Sequence, residues 1–161
     1  MRTQLQITKD TAERQLRAYM SVSNLSVRDA SQAKQSPIAK AVMINSGQTP
    51  AYNCKALSSI KVIARSDIKE YEIPLPLNKE AGIVVGPNCE FNVHKRLVTS
   101  LDDLTVAKLS KGEVVIIFSG AVTYEDTFGN TRTFYFNGWG TKFDSPDGGI
   151  ISPLSWGNKA T

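Results

Sequence analysis

The sequence is short of the residues that enzymes and metal proteins usually place at their reactive centres. Its 161 residues include one histidine, His94, and two cysteines, Cys54 and Cys89. A structural zinc site needs about four such ligands, and no serine lies in a Gly-x-Ser-x-Gly nucleophile elbow. We therefore predict no metal, no cofactor and no Ser-His-Asp triad. The two cysteines permit one disulfide bond, and they are equally compatible with small apolar side chains in a core.

Long apolar runs and blocks of like charge are also missing. No stretch approaches the roughly 20 apolar residues of a membrane-spanning helix, and the N-terminus lacks the apolar core of a signal peptide. The net charge is +4, but the basic residues are scattered from Arg2 to Lys159. Nucleic-acid-binding domains gather such residues on one face, so we predict no nucleic-acid partner. These features alone predict a cytoplasmic chain, unless it is a piece of a longer, anchored protein.

What the sequence has in quantity is β-branched and aromatic residues, above all between Lys111 and Asn137. The first half of this segment is apolar on both faces of a pleat, which predicts a central strand covered above and below. The second half alternates in the same way. Between the halves, Gly129 can adopt a positive φ and the carboxylate of Asp126 can accept turn N–H groups, which predicts a hairpin with a loop of about four or five residues.

Shorter strand patterns surround this hairpin. A thin apolar stripe predicts an N-terminal helix over residues 3–16, and a second short helix is predicted over 101–109. About seven or eight short strands separated by turn signals predict an all-β fold, specifically an immunoglobulin-like β-sandwich. The expected division is a helix or stalk over 1–17, a sandwich domain over 18–143 and an irregular tail over 144–161. Further strands are predicted over 18–22, 38–44, 71–77, 82–85 and 90–98. Residues 51–57 and 59–65 are predicted to form either two strands or one bent strand.

Few residues are candidates for catalysis. His94 lies on a strand whose inward residues would be Phe91 and Val93, so its imidazole is expected to be exposed. The carboxylate pairs Asp102/Asp103 and Glu125/Asp126 lie at a helix start and at a turn, and adjacent strand residues point to opposite faces, which is poor geometry for acid–base partners. Asp144 and Asp147 are two potential calcium ligands without the rest of an EF-hand.

Two other groups of residues stand out. Tyr124, Phe128, Tyr135 and Trp139 could form a ligand-stacking surface, although aromatic residues at hairpin spacing more often belong to a core. The turn residues Asn45, Gly47 and Pro50, like Asp126 and Gly129, are expected to be structural.

Three motifs, taken together, resemble a group of bacterial membrane-anchored proteins of unknown function. They are Arg17-Ala-Tyr19, then Asn45-Ser-Gly-Gln-Thr-Pro-Ala51, and then Gly120-x-Val-x-Tyr-x-Asp-x-Phe-Gly129 followed by Arg132-x-Phe-Tyr-Phe136. In such proteins a transmembrane region precedes a short helical stretch and then a soluble domain outside the cytoplasmic membrane. The resemblance implies a sandwich-like fold on the periplasmic side of the inner membrane, reached through a segment that this chain lacks. It implies no activity.

From these observations we expect a non-catalytic extracytoplasmic domain, an interaction or sensing module with an unidentified protein partner. Two other classes of function stay open. One is a hydrolytic enzyme that uses His94 or a carboxylate pair, and the other is a structural or assembly subunit of a larger particle.

Overall fold

Two β-sheets that share one hydrophobic core make up most of the protein, as the sequence predicted for a sandwich-like, all-β fold. The computed structural model describes residues 3–71, 81–145, 148–153 and 159–160. In chain order its helices and strands are α1 (Gln4–Leu16), β1 (Met20–Arg28), β2 (Ile38–Asn45), β3 (Ala51–Ala64), a 3-10 helix (Arg65–Glu70), β4 (Ile83–Val85), β5 (Glu90–Arg96), α2 (Asp103–Lys111), β6 (Val114–Glu125), β7 (Thr131–Gly140), β8 (Gly149–Ile150), β9 (Ser152–Pro153) and β10 (Lys159–Ala160).

All strand pairs described are antiparallel, and the strands fall into two ordered sets. The first sheet runs β5-β2-β1-β8, and the second runs β10-β7-β6-β3-β4, with β9 also paired to β7. The core between them draws on both sheets, with Val27 and Met43 from the first and Phe118 and Phe136 from the second.

The central strand is β6, which confirms the prediction from its doubly apolar pattern. It lies between β7 and β3, and its pairings with these two strands are the longest ladders of the fold. Ile116 and Phe118 belong to the core between the sheets, while Val115 and Ile117 on the opposite pleat face are also fully buried. The outer face is covered in part by Tyr71, whose hydroxyl lies 3.0 Å from the hydroxyl of Ser119.

Gly120 interrupts this apolar strand for a steric reason. A Cβ atom there would lie 2.6 Å from the ring of Phe136 and would also overlap the carbonyl oxygen of Leu57 on β3. Phe136 in turn packs edge-on against Phe118, with ring centroids 5.4 Å apart. The glycine therefore gives an aromatic ring the space that a side chain would fill.

The C-terminal segment corrects one prediction, because the tail expected to be irregular contributes strands. β8 pairs with β1, while β9 and β10 pair with β7. Between β8 and β9, Ile151 is buried in the core and its amide donates to the carbonyl of Leu25. The segment thus supplies hydrogen-bond partners to strands of both sheets that would otherwise be edges. Stretches of two residues are too short to show a strand period in sequence.

The remaining differences from prediction concern boundaries. Over residues 51–65, where the sequence left open two strands or one bent strand, β3 is a single strand with an irregular register near Asn53, whose φ is +50°. α2 begins two residues later than predicted because Asp102 caps it, its carboxylate accepting the amide of Thr105 at 2.7 Å. The predicted edge strand over 71–77 lies almost wholly outside the described residues.

The contrast between Gly120 and Gly129 gives a test of this packing. Gly120→Ala should lower the free energy of unfolding by about 3 kcal/mol, because the new methyl group overlaps a backbone carbonyl and a core ring. Gly129→Ala meets no atom within 4 Å, so its cost should be the positive-φ penalty of about 1 kcal/mol. Urea midpoints of both variants beside wild type measure the difference. Equal losses would contradict the assigned packing.

Candidate functional site at the helix-proximal end of the sandwich

The side-chain amide of Asn45 connects several segments at one end of the sandwich. Its Oδ1 accepts the amides of Tyr19 at 3.1 Å and Gly47 at 3.0 Å. Its Nδ2 donates to the carbonyls of Thr49 at 2.8 Å and Val85 at 3.1 Å. Asn45 is fully buried, so each of these bonds replaces water that cannot reach the group. The start of β1, the turn after β2 and the edge strand β4 therefore meet at one side chain.

Gly47 lets the turn approach the chain that enters from α1. A Cβ atom on it would lie 2.6 Å from the amide nitrogen of Tyr19 and 2.7 Å from the Cα of Ala18, and would overlap the carbonyl of Arg17. Any side chain would push the turn away from residues 17–19. The prediction that Asn45 and Gly47 are structural fits this geometry, and Pro50 lies half-buried just before β3.

The chain between α1 and β1 is fixed by further contacts. Ala18 is buried, and its carbonyl accepts the hydroxyl of Tyr124 at 3.4 Å. The hydroxyl of Tyr19 donates to the carbonyl of Arg14 at 2.7 Å, and the guanidinium of Arg17 lies 4.5 Å from the Tyr19 ring centroid. Burial raises the pKa of the Tyr124 phenol, which keeps it a neutral donor. The last turn of α1 is thereby tied to the sandwich.

The hairpin loop between β6 and β7 has the predicted structure. It spans residues 126–130, and Gly129 has a φ of +79°. The buried Asp126 carboxylate accepts the amides of Phe128 at 3.0 Å and Asn130 at 2.9 Å, and the Nε of Arg132 at 3.3 Å. Desolvation acts to raise the pKa of Asp126, but the hydrogen bonds from Asn130, Arg132 and Phe128 outweigh it and hold the pKa below its ordinary value.

A charged groove of about 250 Å³ lies between α1 and this hairpin loop. Because it holds as many carboxylates as guanidinium groups, its formal charge is balanced, and it is smaller than the roughly 300–1,000 Å³ of typical ligand pockets. Phe128, 39% exposed, lies at the loop. The groove is suited to holding α1 near the loop by electrostatic attraction rather than to enclosing a ligand. Its lining is Asp10, Glu13, Arg14, Arg17, Asp126, Phe128, Asn130 and Arg132.

The four aromatic residues predicted as one binding surface are not brought together. Tyr124 is buried in the core between the sheets, and Phe128 lies at the hairpin loop. Tyr135 and Trp139 lie on the outer pleat face of β7, where the guanidinium of Arg65 is 5.3 Å from the Trp139 ring centroid. Side chains alternate between the faces of a strand, so the hairpin sends its aromatic residues in different directions.

The cysteines do not form the disulfide that the sequence permits, because both are free thiols. Cys54 is buried and its sulfur contacts the carbonyl oxygen of Ala51 at 3.4 Å. Burial raises the pKa of the Cys54 thiol to about 11, so that it stays protonated. Cys89 is exposed after β4. The two thiols therefore differ sharply in accessibility, which makes Cys89 the reactive one.

His94 is exposed on β5, as its strand position predicted, and lies opposite Lys40 of β2. The nearest serine in the same cross-strand row is Ser26 of β1, two strands away. Neighbouring strands lie about 4.8 Å apart, so these two residues are separated by roughly 9.5 Å. That distance is too long for a nucleophile–base hydrogen bond.

The predicted carboxylate pairs are also divided between separate tasks. Asp102 caps α2, and its hydrogen bond with Thr105 lowers the pKa of Asp102. Asp126 is buried in the hairpin loop, while Glu125 is exposed and accepts the Nδ2 of Asn53 at 3.1 Å. Within the described part of the chain no group of three or more potential metal ligands occurs. Asp147, one of the two calcium candidates, lies outside it.

Sequence reasoning missed the central position of Asn45, although a signal for it was present. Along β2 the residues Ala39, Ala41 and Met43 alternate onto the inner face, and Asn45 continues that series. A polar residue at the end of a buried series must find hydrogen-bond partners. The arginines of the α1 groove were missed as well, because they lie far apart in sequence.

No protein family, curated protein or solved structure matches the chain. No helix among the described residues is long and apolar enough to cross a membrane. Function is therefore inferred from the geometry of the chain itself and from its three motifs.

Removing the Asn45 carboxamide should be far more damaging than removing an exposed one. Asn45→Ala strands buried backbone donors and acceptors, each costing about 1–3 kcal/mol, so the total loss should be at least about 3 kcal/mol. Asn92→Ala, on the exposed side of β5, should change stability by less than about 0.5 kcal/mol. Denaturant unfolding of both variants provides the measurement. Matching midpoints would show that Asn45 is not the connecting residue.

The lowered pKa of Asp126 makes a pH prediction. A carboxylate with a lowered pKa in the folded state stabilises the fold fully above its unfolded pKa, near 3.8, and loses that contribution as the pH falls through the folded value. Asp126→Asn should therefore be less stable than wild type at neutral pH, with the gap narrowing in acid. Asp67→Asn, in an exposed site, should run parallel to wild type. A gap that stays constant with pH would contradict the assigned hydrogen bonds.

Proposed function

We propose that this chain is a non-catalytic interaction or sensing module, held outside the cytoplasmic membrane of a bacterium as part of an anchored protein. In this proposal α1 is the stalk that leads from the anchor, and the sandwich is the body that meets an unidentified protein partner. The fold within the sandwich class is proposed to be immunoglobulin-like. Support comes from two short stacked sheets and from the motif resemblance.

The observation that carries the proposal is the junction between α1 and β1. None of the residues of α1 is buried, and Leu5 is 82% exposed. Because no side chain of α1 is buried, the helix gains little stability from packing on the described residues of the sandwich. A helix of this length is also marginal in water on its own. Such a helix is suited to connecting the domain to something else rather than to completing its core.

The junction is nevertheless held by buried contacts. The chain leaves α1 at Arg17 and is buried at Ala18, and the amide of Tyr19 is held by Asn45. The same motifs that carry the resemblance build these contacts. A stalk joined in this way would hold the sandwich in a fixed orientation relative to the stalk. That property is useful to a module that presents a surface to a partner.

The exposed thiol of Cys89 gives a direct test of the proposed location. The full-length gene is expressed in bacteria, spheroplasts are prepared, and a membrane-impermeant maleimide is added before or after lysis. A domain outside the membrane should be labelled before lysis, because Cys89 is exposed while Cys54 is buried with a raised pKa. Mass spectrometry of the labelled protein identifies the modified residue.

Cys89→Ser is the matched control, since of the two cysteines in this sequence it leaves only the buried Cys54. Labelling of the wild type in intact spheroplasts, lost in Cys89→Ser, would support the proposal. Labelling of the wild type only after lysis would place the domain in the cytoplasm and overturn it. A cytoplasmic marker protein with an exposed cysteine shows that the spheroplasts are intact.

A further inference from the structure

The outer face of the first sheet gathers basic residues that are far apart in sequence. On this face, Lys40 of β2 stands between Ser26 of β1 and His94 of β5 in one cross-strand row. Side chains directly opposite in antiparallel pairs have Cβ atoms about 4.5–5.5 Å apart. The ammonium group of Lys40 and the imidazole of His94 can therefore reach a common ligand.

The next row on the same face adds two arginines. Ile38 of β2 lies between Arg28 of β1 and Arg96 of β5, both exposed. Residues two apart on a strand are separated by about 7 Å, so these long side chains lie within reach of the Lys40 row. Arg28 forms a weak ion pair with Asp29, with Nε and Oδ2 3.8 Å apart.

These rows border a groove of about 470 Å³. Its described lining contains no carboxylate, and Lys40 is half-buried there without an ion pair to any described residue. An ammonium group so placed has lost part of its hydration, and no carboxylate in the described lining offsets its charge. The lining consists of Ser26, Val27, Arg28, Ile38, Lys40, His94, Gly148 and Gly149.

We propose that this groove binds a phosphate group of a small ligand. The phosphate oxygens accept hydrogen bonds from the ammonium of Lys40, the imidazole of His94 and the hydroxyl of Ser26. The guanidinium groups of Arg28 and Arg96 add charge at the rim, and the side chain of Ile38 offers apolar contact to the remainder of the ligand. Donors of this kind on one concave surface are the usual recognition of phosphate.

The extent of the patch decides between a small ligand and a nucleic acid. Two cross-strand rows cover roughly 7 Å along the strands, which is enough for one or two phosphate groups. Glu90, at the far end of β5, marks the acidic limit of the same face. A nucleic-acid surface that binds strongly contacts about 6–10 phosphates. The expected ligand therefore carries a single phosphate ester, either in a free small molecule or in the headgroup of a lipid.

This site does not depend on the proposed location of the domain. The groove lies on the outer face of the first sheet and involves neither α1 nor Cys89. If the labelling experiment shows that the domain is not outside the membrane, the phosphate site still stands. If the groove binds no phosphate, the proposed location still stands.

The single histidine of the chain provides the reporter. In untagged, carbon-13-labelled protein the imidazole C–H signals of His94 are unambiguous in a proton–carbon correlation spectrum. Glycerol 3-phosphate is titrated at constant pH and ionic strength, with chloride replaced as phosphate is added. We expect a saturable shift with a dissociation constant of roughly 1 mM, set by a few charge-assisted hydrogen bonds.

Two lysine variants distinguish binding at this site from non-specific attraction to the net positive charge of the protein. Lys40→Gln should weaken binding by about tenfold, because one charge-assisted hydrogen bond is lost. Lys9→Gln removes the same charge from α1 and should leave the affinity unchanged. The melting temperature of both variants checks that the fold is intact. Equal affinity in Lys40→Gln and wild type would overturn the proposal.

Vesicles of phosphatidylglycerol, beside phosphatidylcholine vesicles, distinguish the two sources of phosphate. Saturable binding of glycerol 3-phosphate that depends on Lys40, without vesicle binding, assigns a free phosphate ester. The ligand is a lipid headgroup if the protein cosediments with phosphatidylglycerol vesicles but not with phosphatidylcholine vesicles. This cosedimentation should be lost in Lys40→Gln and kept in Lys9→Gln. No Lys40-dependent response to either probe would show that the groove binds no phosphate.

Discussion

The buried carboxamide of Asn45 is the interaction on which the helix-proximal end of the sandwich depends. It uses both its acceptor and its donor groups on the backbone of three separate segments, the entry to β1, the turn after β2 and the strand β4. Buried polar groups are costly when unpaired, by about 1–3 kcal/mol each, so the segments are held together as a unit. Gly47 permits this arrangement, because only a residue without a side chain lets the turn lie against the chain at Ala18.

Features that depend on contacts between residues close in sequence could be predicted, and features that depend on strand pairing could not. The hairpin was predictable because Asp126 bonds to residues two to six positions away and Gly129 needs only its own φ. The burial of β6 on both faces followed from a continuous apolar run. The partners of Asn45 were not predictable, since Tyr19 and Val85 are brought to it only by strand pairing.

The same argument applies to charge. The scattering of basic residues along the sequence argues against a nucleic-acid partner. Antiparallel pairing of β1, β2 and β5 brings Arg28, Lys40, His94 and Arg96 to one face. The aromatic residues of the hairpin behave in the opposite way: they are close in sequence, but their side chains point to different faces. Sheet register, which fixes both outcomes, is a property of the whole fold. The molecule thus combines a buried, hydrogen-bonded junction at one end with an open basic groove on a separate face.

The most direct measurement of the central claim is native-state hydrogen exchange at the amides of Tyr19 and Gly47, the two donors to the Oδ1 of Asn45. If the Asn45 connection holds as one unit with the core, both amides exchange only when the protein unfolds globally, with the same opening free energy as the amide of Phe118 in β6. Exchange of Tyr19 and Gly47 at rates typical of a loop, while Phe118 stays protected, would contradict it.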